Sequence, residues 1–140
     1  MNEWWGGRQV ELLQHELFFD HFTDTVFIAE DSNGALIGFI NEFYSQTDSE
    51  TAYVHFIGVC PLQRGTGLGR ELYKRFFEKC RSDRRVKVKS CTLKSNLASI
   101  EFHSHLGFRS REDSRGKKSV RKNTHMTLRF DGLKSYTEVR

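Results

Sequence analysis

The sequence predicts an α/β fold, and three stretches carry that prediction. Two apolar runs, Thr25 to Ala29 and Ala35 to Ile40, flank Asp31-Ser32-Asn33-Gly34, and Asn-Gly between apolar runs is a strong hairpin signal. A third run, Thr51 to Val59, leads through a glycine-rich turn into a helical pattern in which Leu68, Leu72 and Phe76 recur every four residues. Tyr73, Phe77 and Cys80 lie beside them, giving one broad apolar face. Val86 to Leu93 then alternates as a strand, and Leu97 to His105 reads as a short helix.

Taken in order, Trp4-Trp5-Gly6-Gly7 reads as an aromatic anchor and a joint, followed by a helix over 8–22 with Val10, Leu13 and Leu17 on one face. His15 and His21 read as surface or helix-end residues, since no partner stands at metal spacing. The second hairpin strand continues through Phe43 and Tyr44, and 46–50 is a polar turn. Thr51 to Val59 is apolar on both faces, as a central strand is. Alternation puts His55 on one side with Tyr53, Ile57 and Val59. Asn96 is a candidate helix N-cap and Gly107 a C-cap. Met126 to Phe130 is a further apolar stretch, and 133–140 is a last edge strand or a frayed end.

At 140 residues and 16.4 kDa the whole of 1–140 reads as one domain. No run of 18 apolar residues suggests a membrane span, and the first residues lack a secretory signature. Three cysteines, Cys60, Cys80 and Cys91, in no C-x-x-C spacing suggest neither a disulfide framework nor a metal site. The expected setting is soluble, reducing and cytoplasmic. The net charge of +4 is concentrated: 109–122 nets +5, leaving −1 for the rest. That segment reads as a solvated loop or as a patch for an acidic partner; the remainder of the 109–140 tail is hard to read.

The turn from Arg64 to Arg70 has the composition of an anion cradle. Glycines let the backbone approach a ligand, and unpaired N–H groups at a helix start favour phosphate. It is neither a dinucleotide fingerprint, because Arg70 stands where a third glycine is needed, nor a Walker loop, because no Gly-Lys-Ser/Thr follows. R-G-x-G-x-G after V-x-P and before an amphipathic helix resembles the acyl-CoA pyrophosphate loop of the GNAT N-acetyltransferase superfamily. Asn96 through Leu106-Gly107-Phe108 resembles that family's second signature, in the family's order. The resemblance covers roughly residues 25 to 108.

It implies a mixed, twisted sheet with helices on both faces, splayed between the family's strands four and five, which here are Thr51–Val59 and Val86–Leu93. It implies acetyl-CoA as cosubstrate, with no metal. The backbone of Ile57, Gly58 and Val59 would pair with the pantetheine arm, and an N–H near Gly58 or Val59 would polarise the thioester carbonyl. Arg64, Gly65, Thr66, Gly67, Leu68, Gly69 and Arg70 would hold the pyrophosphate; Asn96 and Ser99 would meet the arm near the thiol. His103 stands where many members carry a tyrosine that protonates the departing thiolate, so it is a candidate acid and a contact to the arm. His55 and Glu42 are the candidate bases. The family's usual first strand has no counterpart ahead of residue 8: it is absent, supplied by another chain or lost to a truncated start, and an edge left open in this way suggests a homodimer. The expected activity is transfer of an acetyl group to a primary amine, on a small molecule or a peptide. The alternatives are a non-catalytic acyl-CoA-binding module and, less expected, a nucleic-acid binder using 109–122.

Overall fold

The computed structural model describes residues 2–5, 16–111 and 123–130. After a 3-10 turn at Asn2–Trp5 come helix α1 (Glu16–His21), strands β1 (Val26–Glu30), β2 (Leu36–Tyr44) and β3 (Thr51–Val59), helix α2 (Leu68–Ser82), strand β4 (Lys87–Leu93), helix α3 (Leu97–His105), and strands β5 (Arg109–Arg111) and β6 (Asn123–Arg129). They form a mixed six-stranded sheet in the order β1-β2-β3-β4-β6-β5. Every pairing is antiparallel except β3 with β4.

Both hairpin strands form as expected, with Gly34 at φ 79 in the connecting turn. In the expected helix over 8–22, the described part is Glu16–His21; 8–15 lies outside the described residues, as do 112–122 and 133–140. The expected loop at 109–122 begins instead as strand: Arg109–Arg111 pairs with β6. Sequence pattern is weak in so short an edge strand, because partner hydrogen bonds rather than a buried face define it.

The core lies between the sheet and α2. Leu72, Tyr73, Phe76, Phe77 and Cys80 are buried against Ile40, Ala52, Val54, Val88, Met126 and Leu128, with Leu106 and Phe108 closing one end. Gly38 on β2 is what lets α2 lie so close. A Cβ there would stand 3.0 Å from Leu68 Cδ2 and 3.3 Å from the Gly58 carbonyl.

Two features of register position the site. β3 and β4 pair only from Thr51↔Lys87 to Val54↔Ser90. Beyond that rung residues 55–59 and 91–93 diverge, and the Ser90 hydroxyl donates to the Val54 carbonyl at the fork. This is the splay expected between the family's strands four and five. The second feature corrects an expectation. The β2–β3 register jumps from Asn41↔Phe56 to Glu42↔Val54, leaving His55 as a bulge. The bulge reverses the alternation, so Ile57 and Val59 join the α2-side core while Tyr53, His55 and Phe56 meet rings on the opposite face. His55 therefore does not share a face with Ile57 and Val59.

Candidate functional site

The glycine-rich turn sits at the mouth of the splay. A 3-10 turn at Pro61–Gln63 carries the chain off β3, and Gly65 (φ 77) and Gly67 (φ 91) bend it into α2. Gly67 is the N-cap without a side-chain cap, so its residue type is dictated by backbone conformation: a Cβ would meet nothing within 4 Å. Within the turn, Gln63 N–H donates to Cys60 O, Arg64 N–H to Pro61 O, Thr66 N–H to Gln63 O and Glu71 N–H to Gly67 O. No such bond among the described residues takes the N–H groups of Gly65, Gly67, Leu68, Gly69 or Arg70. They lie at and just before the start of α2, where the helix dipole is positive, and free N–H groups there suit an anion such as a diphosphate.

Arg64 does not project freely. Its Nε donates to Val59 O at 3.3 Å, and its guanidinium also donates to the Trp4 carbonyl. The loop is thereby tied to the N-terminal turn, whose Trp4 stacks on Phe39 with ring centroids 6.4 Å apart. Gly69 packs against α3, where a Cβ would come within 3.1 Å of Phe102.

Along the gap, Asn96 caps α3 by accepting from Ser99 N–H at 3.2 Å. Ser99 in turn orients His103, whose Nδ1 lies 2.7 Å from the Ser99 carbonyl. A carbonyl only accepts, so Nδ1 carries the proton, and Nε2 then accepts from the Tyr73 hydroxyl at 2.7 Å. His103 is 3% exposed, and burial lowers its pKa, which outweighs the opposing bond to Ser99. The ring is thus neutral with both nitrogens engaged, a poor arrangement for the imidazolium acid expected at this position. Tyr73 was the residue missed. In sequence it is one more apolar-stripe position, and only the α2–α3 packing pairs its hydroxyl with a ring nitrogen.

That pairing gives a test. His103→Phe should remove the ring nitrogen that pairs with the buried Tyr73 hydroxyl and destabilise the fold by about 1–3 kcal/mol, and adding Tyr73→Phe should recover part of the loss. Denaturant titration of the two variants checks this. If His103 does not donate a proton, kcat at a permissive temperature stays near wild type; a fall of about 10²-fold would mark it as an acid after all.

The other two candidates part company. Glu42 faces α2 alongside Ile40 and Val54, is 0% exposed, and neither carboxylate oxygen has a partner. Burial lifts its pKa to about 10. A group that keeps its proton at neutral pH cannot take one from an amine, and the α2-side core is not the gap. Its burial and its protonated state both speak against the role of base expected for it. His55 lies on the opposite face, half-buried, its ring stacked 4.8 Å from Phe18, where β3 begins to run without β4 as a partner. Asn41, next to Glu42 but facing the other way, is 0% exposed with both carboxamide atoms unpartnered. Among the described residues no group of three or more His, Cys, Asp or Glu could hold a metal ion, and no helix is long and apolar enough to cross a membrane.

The family model for the acetyltransferase (GNAT) family matches residues 1–108. The chain belongs to the GNAT acetyltransferase family. Among curated proteins, this GNAT chain is 34% identical over 71 residues to the L-2,4-diaminobutyric acid acetyltransferase of Shouchella clausii (strain KSM-K16), a match covering 49% of this chain and 39% of that relative. The chain thus spans well under half of the length of that relative. Among solved structures, a GNAT-family acetyltransferase from Staphylococcus aureus Mu50 superposes with a TM-score of 0.69 at 14% identity, covering 91% of this chain and 89% of that one. The yncA protein of Salmonella typhimurium, solved with acetyl-CoA, gives 0.67 at 24%, covering 94% and 80%. At such identities these neighbours establish the fold.

Proposed function

We propose that this GNAT chain transfers the acetyl group of acetyl-CoA to a primary amine by direct attack in a ternary complex. The observation that carries the reading is a set of five backbone N–H groups, at Gly65, Gly67, Leu68, Gly69 and Arg70, that no backbone hydrogen bond among the described residues takes, beside a gap where β3 has no β4 partner beyond Val54. Main-chain donors at a helix start suit a diphosphate, and an unpaired strand edge suits an extended, amide-bearing arm.

In this reading the N–H groups of Gly65, Gly67, Leu68, Gly69 and Arg70 hold the pyrophosphate, with Thr66 within the turn and Arg64 tying its base. Ile57, Gly58 and Val59 pair with the arm, and a donor near Gly58 or Val59 stabilises the negative charge that builds on the thioester oxygen. Asn96 and Ser99 shape the opposite wall through α3. The amine nitrogen forms the new C–N bond, the C–S bond breaks, and the thiolate keeps the electron pair. His55, directly or through water, takes the amine proton. With His103 neutral, the thiolate departs unprotonated, which its ordinary pKa of about 8.5 permits at neutral pH.

Calorimetry with coenzyme A and thiol release with acetyl-CoA and an amine panel test the reading. Binding with transfer to at least one amine is expected. Folded protein giving no heat with coenzyme A overturns it, and binding without transfer to any amine favours the acyl-CoA-binding module instead. His55→Ala is expected to lower kcat by about 10²-fold, with the loss largest below the amine's pKa, and to leave the KM for acetyl-CoA in place.

A further inference from the structure

The sheet face turned away from α2 changes character across the β3–β4 gap. On the β3 side it is aromatic: Phe39 stacks on Phe56 at 6.2 Å, Phe43 on Tyr53 at 5.3 Å, and Phe18 of α1 lies over His55. On the β4 side it is cationic. Register sets Lys89, Thr127 and Arg109 in one row across β4, β6 and β5, with Lys87 and Arg129 in the row on one side and Cys91 and His125 in the row on the other. Because Val88, Ser90, Thr124, Met126 and Leu128 are buried on the α2 side, these positions face outward; Lys89, Arg109, His125 and Arg129 are exposed.

Lys87 belongs to a different balance, since its Nζ lies 2.9 Å from Asp48 and 3.9 Å from Glu50. None of the outward register positions of β4, β5 or β6 holds Asp or Glu. Strands stand about 4.8 Å apart and alternate residues about 7 Å apart along a strand, so this plate meets several carboxylates at once and is too wide for one.

Resting on the acetyltransferase reading, we propose that the acceptor amine is carried by an acidic peptide, with its carboxylates on the Lys89–Arg109–His125 plate and its amine directed into the adjoining β3–β4 gap. The gap between the two halves is where the acetyl group would be delivered. Chemistry favours a peptide over a nucleic acid, since the exocyclic amines of bases are delocalised into their rings and are weak nucleophiles.

The test uses three peptides with a free N-terminus, Phe-Asp-Glu-Asp-Glu-Gly, Phe-Asn-Gln-Asn-Gln-Gly and Phe-Lys-Arg-Lys-Arg-Gly, assayed by thiol release with acetyl-CoA. At low salt the acidic peptide should exceed the neutral one about ten-fold in kcat/KM, the basic peptide should be poorest, and the preference should shrink as salt rises. Lys89→Glu with Arg109→Glu, both at exposed positions, should abolish or invert the order while leaving the KM for acetyl-CoA and the thermal midpoint in place. Equal use of acidic and neutral peptides, or an unchanged preference in the double variant, overturns the inference and leaves the acetyltransferase reading standing. So does a twenty-nucleotide RNA that binds with steep salt dependence and displaces the acidic peptide, which would assign the plate to nucleic acid. Folded protein that binds coenzyme A but acetylates none of the three overturns both.

Discussion

Glu42→Gln is expected to stabilise the fold by about 3 kcal/mol at pH 7 and to remove a fall in stability between acid and alkaline pH. Glu42 is fully buried, unpaired, and holds its proton up to about 10, against an ordinary value of 4.5. Between those values the folded chain binds a proton that the unfolded chain has released, so folding must pull that proton from solution, at growing cost as pH rises. Below 4.5 both states are protonated and the penalty vanishes; above about 10 it is complete. At pH 7, about 2.5 units above the ordinary value, the cost is about 1.36 kcal/mol per unit. Gln keeps the shape and an unpaired polar group but cannot ionise, so the difference between the two proteins isolates the proton. Urea titrations from pH 4 to 9 should show the curves meeting near pH 4 and parting steadily above it; parallel curves would refute a neutral, buried Glu42. His103 contributes with the opposite sign. Its folded pKa lies below its unfolded one, so it withdraws stability as pH falls below about 6.5, equally in both proteins, and cancels in the comparison.

Gly67→Val should raise the Kd for coenzyme A by about 10²-fold or more while the chain still folds, because the cradle depends on several backbone donors acting together. Gly67 adopts φ 91, where a β-branched residue is an outlier costing about 1–2 kcal/mol. A Cβ there touches nothing within 4 Å, so the substitution acts through backbone conformation and not through a clash. Relieving the strain reorients the peptide units around Gly67 that the proposed cradle uses. Calorimetry reads the affinity, and circular dichroism confirms that α2 survives. Unchanged affinity in a folded variant would mean that these amides do not hold the ligand. Gly69→Val is a contrasting case, since its Cβ would press within 3.1 Å of Phe102 and act on packing.

Where periodicity was strong, the sequence was readable. The four-residue recurrence of Leu68, Leu72 and Phe76 marks α2, and Asn33-Gly34 marks the β1–β2 turn, because both signals are local and repeat the geometry of the element itself. Asn96 as the cap of α3 and Gly107 at positive φ beyond its end were legible for the same reason. The site was only half readable. The spacing of glycines reports a cradle, since the backbone conformation that exposes N–H groups restricts residue type at each position. The side-chain roles assigned to His103, His55 and Glu42 rested on alternation and on position within a motif. Those are blind to a bulge at His55 and to a tyrosine reaching Nε2 of His103 from another helix.

Chain order alone determined that a glycine-rich turn would join a central strand to an amphipathic helix, because every requirement of that unit lies within 30 consecutive residues from Ala52 to Arg81. Tertiary structure decided which charges and protons matter. The β2–β3 register carries Glu42 under α2 and leaves it neutral, and the β4-β6-β5 order gathers Lys89, Arg109 and His125, up to 36 residues apart, onto one face. A proton's affinity and a surface's potential depend on burial and on neighbours through space, and no local pattern in a chain encodes those.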